Sequence, residues 1–216
     1  MAQANHDPSR LCLVTPLGSD PATLAPRVAE ALSGGNVASL IIADDPSHPA
    51  ALEPTAALVA IAQAQGVAAI VHGDPGVVAR TGADGIHVDG TGADLAAAVE
   101  RFGGSKIVGA GGLKSRHDAI LAGEAGADYL FFGRLDGDTG DGVFDKALDL
   151  AAWWSSVTVV PAIVMGGRIL SSVAAAADAG IAFVALSRAV WDDPRGPAAA
   201  VAEASAYLAA IREPAA

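Results

Sequence analysis

The chain has 216 residues, of which 52% are hydrophobic and 17% charged, a composition that excludes a disordered chain or a coiled coil and predicts one folded domain. Its one cysteine, Cys12, excludes a disulfide scaffold, and no apolar run approaches the ~20 residues that span a bilayer. The formal net charge of −11, with basic residues scattered singly, argues against a nucleic-acid partner.

The first residues contain no apolar stretch of the kind found in a signal peptide, so we expect a cytoplasmic protein that binds no membrane. We also expect a flexible segment over 1–9, a single domain over 10–212 and a short tail over 213–216.

Short apolar runs alternate with Ala-rich amphipathic stretches along the whole chain. Continuous apolar runs are typical of strands buried on both faces, as in a parallel sheet covered by helices. In chain order, the predicted strands are 11–15, 37–42, 68–71, 85–88, 106–110, 129–133, 161–165 and 183–187. The stretches between and after them predict helices over 23–33, 54–65, 77–81, 94–102, 115–125, 145–155, 170–179 and 197–212.

This alternation predicts a single (β/α)8 TIM barrel, an α/β fold. A doubly wound sheet would normally have fewer strands, and a nucleotide-binding one would carry a GxGxxG turn after the first strand. This chain has Thr15-Pro16-Leu17-Gly18 there. In a barrel, we expect the chemistry at the carboxyl ends of the strands.

The residues at the predicted strand ends divide this face into two halves. Acidic residues follow strands two to four, which suggests a half that can bind a metal, whereas glycine and arginine follow strands five to eight. Gly166-Gly167 after strand seven and Ser187 at the end of strand eight fit the phosphate site that many barrels build there from backbone amides. The alternative is that these glycines only form tight turns.

Five segments, in this order and spacing, are similar to those of one known family: residues 13–15, 82–88, 126–129, 166–167 and 185–187. The family is the thiamine phosphate synthases with their thiazole tautomerase relatives, and the resemblance spans nearly the whole chain. It implies a transferase of thiamine biosynthesis that acts on small phosphorylated substrates. Such an enzyme joins a pyrimidine methyl diphosphate to a thiazole phosphate through a pyrimidine carbocation, while Mg²⁺ holds the leaving diphosphate.

The resemblance assigns substrate-binding and catalytic residues. Gly166, Gly167, Leu186 and Ser187 match the segment that binds the thiazole phosphate in the family, and Arg168 adds a cation beside it. In the segment after strand six, Thr139 lies near a family threonine, and Arg134 stands in for a family lysine that is missing here. We therefore expect Arg134 and Thr139 to be catalytic.

Three carboxylates are the candidate Mg²⁺ ligands, although each is shifted from the position of its family counterpart: Asp74, Asp89 and Asp94. Asp74 precedes Pro75 and Gly76, so a turn or a helix cap is an equal alternative. Asp94 lies at a predicted helix start, where capping is the more common role. His87, inside strand four, is expected to be a hydrogen-bonded core residue.

The chain departs from the family at two places. The family's Gln-x-Arg-x-Lys grip on diphosphate is replaced after strand two by residues 39–45, which contain no cation and end in Asp44-Asp45. After strand five, the glycine run over 109–112 has no hydroxyl. These departures leave two functions open: a transferase with a rearranged diphosphate grip, and a non-catalytic or regulatory phosphate-ligand-binding barrel that has lost the metal half.

The third possibility, thiazole tautomerase, ranks last because the glycine run offers no general base. Trp153-Trp154, on a helix expected to face outward, suggests an apolar patch and a homodimer.

Overall fold

The protein is described by a computed structural model over residues 9–43 and 52–211. Eight parallel strands follow one another around a closed barrel, so the predicted (β/α)8 barrel is confirmed. All eight predicted strands are present, and their ends differ from the prediction by one residue at most: β1 (Arg10–Val14), β2 (Val37–Ile42), β3 (Ala68–His72), β4 (Gly85–Asp89), β5 (Ile107–Gly111), β6 (Tyr129–Phe132), β7 (Ala162–Met165) and β8 (Phe183–Leu186).

The predicted helices are also present on the outside of the barrel. In chain order the helices are α1 (Pro21–Ser33), α2 (Leu52–Ala64), α3 (Pro75–Thr81), α4 (Ala93–Phe102), α5 (Arg116–Glu124), α6 (Asp145–Val157), α7 (Val173–Asp178), α8 (Arg188–Trp191) and α9 (Pro197–Ala210). A 3-10 turn, Leu170–Ser172, precedes α7 within the predicted helix 170–179. Helix α8 was not predicted, because four residues are too few to show a helical period.

Alternation along the strands produces two apolar layers. Residues that point outward pack against the helices and form the larger core, which includes Leu11, Leu40, Ile86 and Val164. Residues that point inward fill the barrel with a smaller cluster, which includes Cys12, Ile41, Ile70, Tyr129, Phe131, Ile163 and Met165. The interior is therefore packed, which confines small-molecule chemistry to the barrel's end.

Two glycines of β5 create the space for the polar part of the interior. A Cβ atom at Gly109 would overlap the ring of Tyr129, and one at Gly111 would overlap the imidazole of His87 and lie 2.9 Å from Asp89 Oδ1. Removing these side chains from β5 lets its neighbours, β4 and β6, point bulky residues across the barrel. The glycine run that lacks the family's hydroxyl is thus a packing feature.

The predicted segments 1–9 and 213–216 lie outside the described residues, apart from Ser9, as do Asp44 and Asp45. No helix in the part of the chain that the structure describes is both long enough and apolar enough to cross a membrane.

Candidate active site at the barrel mouth

The ends of β3 and β4 place three polar side chains together, which we call the imidazole side: His72, His87 and Asp89. His72 Nε2 lies 3.3 Å from Asp89 Oδ2, and His87 Nε2 lies 3.9 Å from Asp89 Oδ1. The two imidazole rings are 5.7 Å apart. Strand pairing fixes this arrangement, because His72 and His87 are register partners in adjacent strands.

His87 is fully buried, as the sequence predicted. Burial lowers its pKa to about 3, with a further lowering by His72, so the ring is neutral at neutral pH. Its Nδ1 lies 2.8 Å from the Tyr129 hydroxyl. Burial also raises the pKa of that phenol well above its ordinary value, so the phenol keeps its proton and can donate it to Nδ1. The remaining imidazole proton then lies on Nε2, which faces Asp89.

Asp89 is the charged member of the imidazole side. The hydrogen bond from His72 lowers the pKa of Asp89, burial opposes that lowering, and the electrostatic influence of Arg134 adds to it. The carboxylate is therefore ionised at neutral pH. Its side chain is 58% exposed, so it remains open to the barrel mouth.

The other two predicted metal ligands lie at helix starts. Asp74 Oδ1 accepts a hydrogen bond of 2.7 Å from the Gly76 amide and caps α3, while Asp94 lies exposed in the first turn of α4. Within residues 9–43 and 52–211, no three His, Cys, Asp or Glu side chains converge in a way that could hold a metal ion. Mg²⁺, however, commonly binds through one or two carboxylates and substrate phosphates, and Asp89 suits that mode.

On the opposite half of the mouth, the backbone amides of the predicted phosphate site at Gly166 and Gly167 have partners within the chain. The Gly166 amide donates to Ala185 O at 2.8 Å, and the Gly167 amide donates to Ser172 Oγ at 3.0 Å. The Arg168 amide donates to Gly140 O at 2.8 Å. Leu186 is fully buried at the end of β8, and Ser187 is 2% exposed.

A segment of the β6–α6 loop, residues 138–142, lies over these amides, and we call this region the covered side. Besides the bond from Arg168, the Ile169 amide donates to Asp141 O at 3.4 Å. Gly167 packs so closely beneath Asp141 and Gly142 that an added Cβ atom would overlap the Asp141 carbonyl. The sequence predicts that the missing side chain of Gly167 leaves room for a phosphate. In the structure, the backbone of Asp141 and Gly142 occupies that room.

Asp138, which sequence reasoning missed, inserts its side chain into the covered side. Its Oδ2 accepts a hydrogen bond of 2.5 Å from the backbone amide of Arg188, which is the first residue of α8. Asp138 is 1% exposed. Burial raises the pKa of its carboxyl, and the hydrogen bond from the Arg188 amide opposes that rise. The sequence around Asp138 contains no pattern that distinguishes a buried aspartate from an exposed one in the loop after a strand.

The predicted catalytic residues, Arg134 and Thr139, line a cleft of about 800 Å³ between the β5–α5 loop and the start of α6. The Arg134 guanidinium makes two hydrogen bonds of 2.9 Å to the Asp136 carboxylate, and Thr139 is exposed. Two further cations line the same cleft, Lys114 and Lys146. Sequence reasoning missed them because they follow strands five and six at different distances and meet only in the folded chain.

A closed barrel whose polar side chains and cations gather at the carboxyl ends of its strands defines a (β/α)8-barrel protein that works at that face. Comparison with known families identifies which one. The chain belongs to the thiamine monophosphate synthase family, whose model matches residues 11–190.

Individual relatives agree with this assignment. A thiamine-phosphate synthase from Rhodospirillum centenum is 37% identical over 197 residues, covering 90% of this chain and 95% of the relative. One from Hyphomonas neptunium is 35% identical over 201 residues, covering 89% of this chain and 90% of the relative. The solved structure of a thiamine phosphate pyrophosphorylase from Pyrococcus furiosus shares the fold, with a TM-score of 0.77 at 20% identity over 94% of this chain and 97% of the other.

Proposed function

We propose that this chain is a thiamine-phosphate synthase, a transferase that joins a pyrimidine methyl diphosphate to a thiazole phosphate. The observation that carries the proposal is the match to thiamine-phosphate synthases over about nine-tenths of the chain at 35–37% identity. In this reaction the bond from the pyrimidine methylene carbon to diphosphate breaks, and diphosphate leaves with the electron pair. The thiazole nitrogen then donates its lone pair to the carbocation and forms the new carbon–nitrogen bond.

The chain's own cations would hold the departing diphosphate in place of those missing after β2. Lys114, Arg134 and Lys146 line one cleft, and within the described residues neither lysine forms an ion pair. Arg134 would exchange its bonds to Asp136 for bonds to diphosphate oxygens, which carry more charge. The hydroxyl of Thr139, exposed in the same cleft, would donate one more hydrogen bond.

We further propose that Mg²⁺ binds together with the diphosphate and that Asp89 is the described carboxylate that contacts it. Bound Mg²⁺ supplies a divalent charge that stabilises the leaving group. Asp89 suits this role because it is ionised and exposed at the mouth, and because its neighbour His72 holds it by a hydrogen bond. Asp74 and Asp94, which lie at helix starts, are expected to contribute less.

The alternative function, a non-catalytic or regulatory phosphate-ligand-binding barrel, gains no support from a specific observation. It requires a preserved phosphate half and a lost metal half. The described residues show an imidazole side with an ionised and exposed carboxylate, and a covered side where the Gly166, Gly167 and Arg168 amides already have partners.

A coupling assay with both substrates, with and without Mg²⁺, tests the proposal. We expect product formation that depends on Mg²⁺ and falls by about a hundredfold in Arg134→Ala, since one preorganised charged donor contributes roughly 3 kcal/mol to such a transition state. Lys114→Ala and Lys146→Ala should each lower the rate less, because lysine offers a point charge without the paired geometry of arginine. Asp89→Asn should raise the Mg²⁺ concentration needed for half-maximal rate.

Arg101→Ala is the matched control, since it removes a cation from the last turn of α4, outside the cleft. It should leave the rate unchanged. Absence of any coupling product in the wild-type protein with both substrates and Mg²⁺ would contradict the proposed function. The cytoplasmic location and the homodimer stay predictions.

A further inference from the structure

The covered side is occupied by a group that resembles the ligand expected there. Asp138 presents a carboxylate to the Arg188 amide, and its second oxygen, Oδ1, has no hydrogen-bond partner among the described residues although it is buried. The Arg188 guanidinium forms an ion pair with this carboxylate, with Nε 3.8 Å from Oδ1. Amide donors together with arginine form the usual surroundings of a bound oxyanion.

Asp138 reaches this position from a distant part of the chain. It lies 50 residues before Arg188 in sequence, so it is not the local side chain that usually caps a helix. Two backbone contacts hold the same segment down, from the Arg168 and Ile169 amides to Gly140 O and Asp141 O. The oxygens of segment 138–142 therefore accept hydrogen bonds from amides in the loops that follow β7 and β8.

The segment also carries the means to move away. Gly137, Gly140 and Gly142 flank its two aspartates, and added side chains at Gly140 and Gly142 would meet nothing within 4 Å. Glycine backbones rotate at low steric cost, although the Gly140 carbonyl has to leave the Arg168 amide when the segment moves. The buried Oδ1 without a partner makes the closed position less favourable than a fully hydrogen-bonded one.

We propose that Asp138 is an internal competitor of the substrate's phosphate. In the free protein its carboxylate lies where the phosphate of the thiazole substrate binds, and the substrate binds by lifting segment 138–142 off the Arg168, Ile169 and Arg188 amides while Thr139 stays in the cleft. The inference rests on the proposed function for the identity of the phosphate. Asp138 is thus a specificity-determining residue: a substrate without a phosphate gains nothing from displacing the segment.

The test measures binding of two probes, inorganic phosphate and the thiazole phosphate, by calorimetry. Asp138→Asn keeps an oxygen acceptor but removes the charge, and Asp138→Ala removes both. We expect both variants to bind each probe at least about tenfold more tightly than the wild type, because a like charge at the same position opposes binding strongly. The affinity for the unphosphorylated thiazole alcohol should not change.

Asp192→Asn is the matched control. Asp192 is exposed and close enough for its charge to raise the pKa of Asp138, yet it makes no described hydrogen bond to the Arg188 amide through its side chain. If the effect is specific to the displaced carboxylate, this variant should change phosphate affinity much less than Asp138→Asn. An equal gain in Asp192→Asn would show general electrostatics and overturn the proposal.

Hydrogen exchange gives a second, independent measurement. Saturating phosphate should raise the exchange of the Arg168 and Ile169 amides of the wild type, because displacing the segment removes their acceptors, Gly140 O and Asp141 O. This is the opposite of the protection that ligands usually confer. A purely structural cap would show no such rise. Unchanged or weaker phosphate binding in both Asp138 variants, or no rise in exchange, would overturn the proposal.

The result also separates this inference from the proposed function. Tighter inorganic phosphate binding in the variants, without binding of the thiazole phosphate by any form of the protein, would support the competitor and contradict the thiazole substrate. Coupling activity in the wild type with unchanged phosphate affinity in the variants would do the reverse.

Discussion

The two sides of the barrel mouth hold their polar groups by different means. On the imidazole side, His72, His87 and Asp89 project from adjacent paired strands, and their mutual distances follow from strand register. On the covered side, the amides are satisfied by a loop segment that comes from a different part of the chain. The comparison shows that strand pairing holds one half of the site, whereas a loop segment covers the amides of the other half. Under the inference above, that segment has to move before an anion binds.

Among the substitutions that compare the two sides, Gly109→Ala should lower the free energy of unfolding the most. The new methyl group would overlap the Tyr129 ring, which is held in the barrel interior and bonded to His87. Overpacking a rigid core and breaking a buried hydrogen bond together should lower the free energy of unfolding by about 3 kcal/mol. Urea denaturation measures this free energy. Gly92→Ala, with nothing within 4 Å, is the control and should cost under about 1 kcal/mol.

Gly167→Ala applies the same test to the covered side. Its methyl group would overlap the Asp141 carbonyl, which belongs to the loop segment. If the segment moves as proposed, the loss should be about 2 kcal/mol or less, smaller than for Gly109→Ala. Faster proteolysis within 138–142 should accompany it, and Gly140→Ala, with open space around it, should show neither change. A loss as large as that of Gly109→Ala would mean that the segment is fixed in place.

The imidazole side should make stability depend on pH. Burial lowers the pKa of His87 to about 3 from an ordinary value of 6.5, so the unfolded chain binds a proton below pH 6.5 that the folded chain refuses. Stability is then lost as the pH falls from 6.5 towards 3, by roughly 2 kcal/mol at pH 5. Thermal unfolding as a function of pH measures the loss. His87→Gln should flatten the profile, whereas His117→Gln, at an exposed position, should leave it as it is.

The covered side should show a smaller pH effect of the opposite sign. Burial raises the folded-state pKa of Asp138 above 3.8, so the folded chain holds its proton more tightly than the unfolded chain. That contribution is complete below pH 3.8 and is lost as the pH rises through the folded pKa. Asp138→Asn should therefore gain stability relative to the wild type towards pH 7. A loss of stability at pH 7 would show that the ionised carboxylate favours the fold.

The amino-acid sequence by itself determined the barrel. Eight apolar runs predict eight strands to within one residue at each end, because a strand buried on both faces needs a continuous apolar run whatever its neighbours are. Family membership also followed from local segments such as 166–167 and 185–187. The buried position of His87 followed from its place inside the fourth predicted strand.

Only the tertiary structure decided which groups meet. Lys114 and Lys146 share a cleft with Arg134 because the β5–α5 loop and α6 are neighbours in space, and no local pattern records that proximity. The same holds for Asp138 and Arg188, whose contact joins two loops. Local sequence fixes the hydrogen-bonding pattern of a strand or a helix, but the free energy that places a loop comes from contacts with distant residues, which appear only when the chain has folded.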